Sequence, residues 1–230
     1  MLEEPPLLVV RKSFARPPQD KLARLRGAQT GHVVDAMDGR GALDAAIKPV
    51  DPDHAQFVGV ALPCETGPSD NLAIMAAVAL AKEGDVVIAA ADGFAGTAVV
   101  GDIVSMMARN GGCAALVIDG MARDSEGIAG VRLPVFARGI TPNSCVKSGP
   151  GRVGLPIVAG GIAIEPGDVI VGDRDGVVVV PQRLLDQVIA RVEAIREAEK
   201  NVIAKITDSR LTHMEAMATL LKSDRVRYVD

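Results

Sequence analysis

The chain has 230 residues, 48% of them hydrophobic, with 25 Lys and Arg against 29 Asp and Glu for a formal net charge of -4. That apolar content suffices for one large folded domain, or a domain with a helical appendage, and excludes a disordered chain. There is no Trp, only four Phe and one Tyr, and no basic run with interleaved aromatics, so neither a phosphate-tracking groove nor a base-stacking platform is expected and nucleic acid is not an expected direct ligand.

Residues 1–19 read as an extended arm, because the pairs Pro5-Pro6 and Pro17-Pro18 disfavour helix around them. The opening residues lack the positive-then-apolar order of a secretion signal, which makes the cytoplasm the expected location. Residues 20–42 suggest two short helices, the second capped by Thr30 and ended by Gly39 and Gly41. A strand is expected over 55–65. A helix follows over 70–84, with Asp70 as N-cap and Gly84 at its C-terminal end, and then a buried strand over 85–92. The longest apolar stretch, "LAIMAAVALA" at 72–81, is too short to cross a bilayer and reads as a buried helix. A further helix starts near Gly101 in "GDIVSMMARNGG", and "CAALVIDG" at 113–120 is another buried strand. Strand, helix, strand with near-continuous apolar strands is a βαβ pattern. From 131 to 180 helix signals give way to short strands with Pro-Gly and Asp-Gly turns, a β-rich layer closing on the βαβ part. Residues 20–181 thus form an α/β domain. The remainder, 182–230, is a helical extension whose long helix aligns Leu185, Val188, Ile189, Val192, Ile195, Val202 and Ile206 on one stripe, followed by a short amphipathic helix in "LTHMEAMATLLK". Such a helix can fold back on its own domain or lie on a neighbouring subunit.

Most familiar catalytic signatures are missing. There is no Walker A loop, GxSxG, HExxH or CxxC; "GPGRVG" at 149–154 contains a proline and opens no helix, so it is not a dinucleotide loop. His32, His54 and His213 are scattered, and Cys64, Cys113 and Cys145 are odd in number and widely spaced, which favours neither a histidine-based triad nor a zinc knuckle nor a disulfide framework. Carboxylates and arginine remain. In a βαβ unit, ligands bind beyond the C-terminal ends of the strands. Arg123 and Asp124 come just after one such strand, and Asp102 follows its neighbour. The glycine-rich stretch "ADGFAGTAVVGDIV", with Gly93, Gly96 and Gly101, lets backbone approach a ligand, and the helix N-terminus at Gly101, Asp102, Ile103 and Val104 offers amides to a small carboxylate. One or two carboxylates suit a hard divalent cation that keeps several waters, and an adjacent arginine can hold an oxyanion. A surface ion pair and a capping aspartate would account for the same residues without chemistry.

Asp102, twenty intervening residues and then Arg123-Asp124 resembles the D-x20-R-D motif of the RraA-like family, whose aldolase members cleave 4-hydroxy-4-methyl-2-oxoglutarate or 4-carboxy-4-hydroxy-2-oxoadipate. The segments "DNLAIMAAVALAKEGDVVIAAADG", "GGCAALVIDGMARD", "LPVFARGITP" and "GGIAIEPGDVIVGDRDGVVVVP" extend the likeness over most of residues 30–181. The resemblance implies an α/β fold of the swivelling β/β/α kind, a homotrimer or hexamer with sites between subunits, and Mg2+ or Mn2+ as cofactor. It further implies Asp124 as direct metal ligand, Asp102 as a partner to metal-bound water, Arg123 on the keto or enolate oxygen, and the amides of Gly101 to Val104 around the pyruvyl carboxylate. A glutamate of the neighbouring C-terminal helix also reaches the site in the aldolases. Glu199 is favoured for it over Glu197, and Asn71 is a lesser pocket candidate. The implied reaction is retro-aldol cleavage of a 4-hydroxy-2-oxo acid to pyruvate and a second oxo acid, with oxaloacetate decarboxylation through the same enolate. Relatives that inhibit ribonuclease E by binding it lack the aspartate after the arginine. This chain keeps Asp124, so the enzyme is favoured over the regulatory binder. Arg40, Arg132, Arg138, Lys147 and Arg152 are unranked candidates for a distal carboxylate.

Overall fold

The computed structural model describes residues 6–229. Two compact units emerge, one ending at Val192 and the other running from Glu193 to the C-terminus.

In the first unit the order is β1 (Leu8–Val10), α1 (Gln19–Leu25), α2 (Thr30–Ala36), β2 (Lys48–Pro49), β3 (Phe57–Thr66), α3 (Leu72–Leu80), β4 (Asp85–Ala90), β5 (Ala98–Val100), α4 (Asp102–Asn110), β6 (Ala115–Asp119), β7 (Met121–Ala122) and α5 (Ser125–Val131). Then come β8 (Val135–Ala137), β9 (Gly139–Ile140), β10 (Gly151–Val153), β11 (Ile157–Ala159), β12 (Ile162–Ile164), β13 (Val169–Asp173) and β14 (Gly176–Val180), before α6 (Leu185–Ser209) begins. The main sheet runs β1-β10-β3-β4-β6-β8-β2, with β13 pairing both β3 and β14. Its centre, β3-β4-β6-β8, is parallel.

Side-chain alternation along the central strands builds a helical layer on one face and a β layer on the other. Val87 and Ala89 of β4 and Leu116 and Ile118 of β6 pack with Ile74, Ala77, Val104, Ala108 and Ile128 of α3, α4 and α5. The alternate residues Val86, Ile88, Ala115 and Val117 pack with Ile157, Ile164, Ile170 and Val179 of the β-rich segment. Both faces being buried, the strands read as continuous apolar runs. The β/β/α layering expected from the resemblance is the architecture observed.

Two local expectations gain detail, at the arm and at "GPGRVG", and two are revised, at the starts of α2 and α3. The described part of the proline-rich arm supplies the edge strand β1, parallel to β10, and Arg16 in it forms a bidentate ion pair with the fully buried Asp85. Thr30 is the first residue of α2 rather than its cap; Asp173 at the end of β13 caps the helix, accepting from the Thr30 amide at 2.7 Å and its hydroxyl at 2.8 Å. Helix α3 is shorter than its apolar run suggests, with Asn71 rather than Asp70 at the N-cap position, and it ends at Leu80, before Gly84. "GPGRVG" contributes the strand β10.

The first turns of α6 bury Leu185, Val188, Ile189 and Val192 within the first unit. In the second unit the distal part of α6 exposes Val202, Ile203 and Ile206, and α7 (Glu215–Leu221) exposes Met217, Leu220 and Leu221. Among the described residues no helix is long and apolar enough to cross a membrane.

Candidate functional site

A second, small parallel sheet, β5-β7-β9, sits apart from the main one and builds the site. Ala98 pairs with Met121 and Val100 with Ala122, and the Arg123 amide donates to the Val100 carbonyl at 3.0 Å. The pairing carries an irregularity, two steps on β5 against one on β7, and the two parallel strands end side by side. The first therefore delivers Gly101 and Asp102 next to the Arg123 and Asp124 that the second delivers, and the chain between them is the crossover through α4 and β6. That crossover is the physical content of the twenty-residue spacing. The sequence reading attached both pairs to the long buried strands; the strands that carry them have three and two residues, too few for any periodicity to register.

These ends open into a cavity of about 260 Å³ lined by Asn71, Gly101, Asp102, Ile103, Val104, Arg123 and Asp124, the seven candidates of the first unit. Met75, Met107, Ser144, Cys145 and Lys147 complete much of its wall. Glu199 lies on the exposed distal part of α6, in the second unit.

Local structure at Asp124 departs from the usual logic of a helix start. Aspartate at an N-cap normally uses its carboxylate on the first-turn amides. Asp124 precedes α5 in the left-handed region (φ 56°, ψ 47°), its carbonyl accepts from Ile128 at 2.9 Å, and its side chain makes no capping bond. The carboxylate instead lies 3.2 Å from the Arg123 Nε and is 44% exposed. Arg123 also donates through Nη1 to the Ser144 hydroxyl, which leaves further guanidinium donors for a ligand.

Gly101 stands close against its neighbours. A Cβ there would stand 2.6 Å from Asp124 Oδ2 and 3.3 Å from Arg123 Cγ. As N-cap of α4 it also offers no side chain to the helix amides. Asp102 Oδ1 accepts from the Ile103 amide at 2.7 Å, so the first turn is partly served by its own aspartate and the rest of its unpaired amides remain for an anion. Gly127 of α5 lets Asp102 pack closely, since a Cβ on it would lie 2.7 Å from Asp102 Cβ. Of the other glycines in the loop, Gly93 packs beside Arg138 and Gly96 against the Phe94 ring, so only Gly101 serves the cavity.

Asn71 is buried, donates through Nδ2 to the Val99 carbonyl at 3.1 Å, and leaves Oδ1 without a partner among the described residues. Burial pushes the Cys145 thiol above its ordinary range, which keeps it protonated and unreactive at neutral pH. Burial likewise moves Cys64 up to about 12 and Cys113 up to about 11.

Asp70 organises one wall. Its carboxylate accepts from the amides of Leu72 at 2.8 Å, Ser148 at 2.5 Å and Gly149 at 2.9 Å, and from the Thr66 hydroxyl at 3.3 Å. Burial alone would raise its pKa; these donors outweigh that and hold it below the ordinary carboxylate range. The contribution to stability is therefore complete above the ordinary value near 4 and is lost as pH falls through the lower folded-state value. Asp70→Asn would turn an NH2 toward amides that need an acceptor. It is expected to cost about 2–4 kcal/mol, and thermal melts from pH 7 to pH 3 should show a shallower acid decline than the parent.

Among the described residues no group of three or more His, Cys, Asp or Glu could hold a metal ion. The donor set that is present, Asp124 with Asp102 lining the same cavity, fits Mg2+ or Mn2+, which take one or two carboxylates and otherwise keep water.

Residues 30–179 match the family described as RraA-like: Aldolase/RraA. The chain belongs to the RraA-like family. A relative from Halalkalibacterium halodurans, provisionally named a 4-hydroxy-4-methyl-2-oxoglutarate aldolase, is 35% identical over 201 residues, covering 86% of this chain and 95% of that one. Among solved structures, an uncharacterised protein from Pseudomonas syringae shares 30% identity with a TM-score of 0.74, covering 85% of this RraA-like chain and 96% of its own. The RNA-processing inhibitor RraA from Thermus thermophilus shares 26% with a TM-score of 0.61, covering 67% and 93%.

Proposed function

We propose that this RraA-like chain is a divalent-cation-dependent aldolase that cleaves a 4-hydroxy-2-oxo acid, such as 4-hydroxy-4-methyl-2-oxoglutarate or 4-carboxy-4-hydroxy-2-oxoadipate, to pyruvate and a second oxo acid. One observation carries the reading: the ends of β5 and β7 bring a helix N-terminus, two carboxylates and an arginine into a single cavity. The amides at Gly101 to Val104 hold the substrate carboxylate, and Arg123 donates to the 2-keto oxygen. As the C3–C4 bond breaks, its electrons pass toward that oxygen, and a fixed guanidinium stabilises the growing negative charge. The C4 hydroxyl gives up its proton as the second oxo acid departs, and C3 takes up a proton to complete pyruvate. Asp124, with Asp102 in the same cavity, would hold a divalent cation, which when bound would supply Lewis-acid chemistry. Loss of carbon dioxide from oxaloacetate generates the same enolate, so decarboxylation is an expected side activity.

The exposed apolar side chains Val202, Ile203 and Ile206 support a trimer or hexamer in which the distal part of α6 covers a neighbouring copy and brings Glu199 to its site. The regulatory reading draws support from the Thermus likeness, but Asp124 lining the cavity beside Arg123 favours catalysis.

Pyruvate release from 4-hydroxy-4-methyl-2-oxoglutarate and from oxaloacetate, followed with Mg2+, with Mn2+ and with EDTA, tests the proposal. Release that depends on the metal and stops with EDTA is expected. Absence of release from every 4-hydroxy-2-oxo acid with either metal would leave the regulatory reading in its place.

A further inference from the structure

Of the cations left unranked by the sequence, Arg138 is held by Asp119 and Asp44, and Arg152 by Glu65. Arg40 lines a second cavity, of about 450 Å³ and wholly within the first unit, walled by the end of α2, by β12 and β14, and by the start of α6. It shares no residue with the cavity at the ends of β5 and β7. Its volume falls in the range of small-molecule sites, about 300–1,000 Å³.

The wall is aliphatic, from Met37, Ile162, Val179, Leu184 and Val188. Three guanidinium groups, of Arg40, Arg183 and Arg191, stand against the single carboxylate of Asp38, so three positive charges less one negative leave +2 on the lining. Arg191 is already engaged, donating through Nη2 to Asp38 Oδ1 at 2.6 Å and through Nη1 to Oδ2 at 3.1 Å. This hydrogen-bonded Arg191, and beside it the charge of Arg40, hold the Asp38 carboxyl below the ordinary carboxylate range. Arg40 and Arg191 therefore converge on one end of the cavity. Among the described residues neither Arg40 nor Arg183 makes an ion pair or a side-chain hydrogen bond.

Both unpaired arginines rise from fixed backbone. The Gly39 amide donates to the Val34 carbonyl at 3.0 Å and the Gly41 carbonyl accepts from the Val179 amide at 2.9 Å, which brackets Arg40. The Gln182 amide donates to Asp168 at 2.9 Å and the Leu184 amide to the Pro181 carbonyl at 2.8 Å, which brackets Arg183. Gly41 lets its loop lie against β14, since a Cβ there would meet Met37 Cε at 2.6 Å and the Val179 carbonyl oxygen at 2.7 Å. A guanidinium is a planar fork matched to the oxygens of a carboxylate or phosphate, and bare aliphatic wall favours an apolar body that takes it out of water. An inorganic anion would use the rim and leave the wall wet. An uncharged apolar molecule would cover the wall and leave the arginines without a counter-charge.

We propose that this cavity is a second ligand site, for an amphipathic oxyanion: a carboxylate or phosphate monoester on an aliphatic body, with Arg40 and Arg183 on the head group and Met37, Ile162 and Val179 along the body. Calorimetry of the full chain with octanoate and with octyl phosphate tests it, beside acetate, inorganic phosphate and 1-octanol, each of which lacks one half of such a ligand. One molecule per chain is expected for an octyl anion, the tighter of the two naming the head group, with the half-ligands about 10-fold weaker or more. Arg40→Met and Arg183→Met, both at exposed positions, should each weaken binding about 10-fold with melts like the parent's. Ala163→Leu, which fills the cavity from β12 and leaves every arginine in place, should weaken it as well. The octyl anion should also raise the parent's melting temperature, and raise it less in the three variants. Acetate binding as tightly as octanoate, an affinity unchanged in both arginine variants, or no binding of either octyl anion would overturn the assignment.

Discussion

Replacing Asp124 with Asn is expected to lower metal-dependent pyruvate release by about 10³-fold or more while leaving the fold intact. The two parts of that expectation have separate physical grounds. The carboxylate is 44% exposed, makes no helix-capping bond, and its charged neighbour is the half-exposed Arg123 at 3.2 Å; exposed ion pairs of that kind contribute about 0–1 kcal/mol. Asparagine tolerates the left-handed backbone at φ 56° as aspartate does, so the substitution removes charge without adding strain. An alanine there would mix the two effects. For the proposed chemistry, by contrast, the variant lacks the carboxylate charge that stands beside Arg123 and Gly101. The informative measurement is kcat/KM across an Mn2+ titration beside a thermal melt. An unchanged melt with activity lost at all metal concentrations is the expected pair. Parental activity in the variant would remove Asp124 from the site, and a collapsed melt would make it a structural residue.

How much of this was legible beforehand depends on the length scale of each signal. Buried strands such as β4 and β6 announce themselves because both faces are covered and every residue is apolar. The helix N-terminus at Gly101 was also readable, because glycine followed by aspartate and an amphipathic run is a local pattern. The sheet β5-β7-β9 was not, since its strands are shorter than any repeat that could reveal them. Its existence is what turns a numerical spacing into a shared cavity. Capping by Asp173 escaped for a different reason: the partner of Thr30 is 143 positions away. Lys147 was visible as a cation and no more, because its place in the cavity wall follows from long-range backbone pairing of Val146 with Ser69 and Asn71. The stripe on α6 was read as continuous, yet it is buried only through Val192; an amphipathic pattern records that a face is meant to be covered, not by what.

Gly101→Ala offers a test of the cavity that leaves every chemical group in place. The backbone at this position, φ -141° and ψ -167°, is extended and open to any residue, so alanine adds no conformational strain. Its methyl would meet Asp124 Oδ2 at 2.6 Å and Arg123 Nε at 3.5 Å. The first distance is below any tolerable contact, and the atom that must yield is the end of a half-exposed carboxylate rather than backbone. The fold therefore survives with a melting shift of about a few degrees, while Asp124 moves away from its place by a fraction of an ångström to about 1 Å. Displacement on that scale is enough to cost about 10²-fold in kcat/KM. A paired control is Gly31→Ala in α2, where an added methyl meets nothing within 4 Å and the gain in helix propensity, about 0.5–1 kcal/mol, should raise the melt and leave activity alone. If Gly101→Ala turned over like the parent, the close approach of Gly101 to Asp124 would be packing without catalytic consequence. If it lost activity but regained part of it at higher Mn2+, the displaced carboxylate would be acting through the cation, as proposed for the donor set at the ends of β5 and β7.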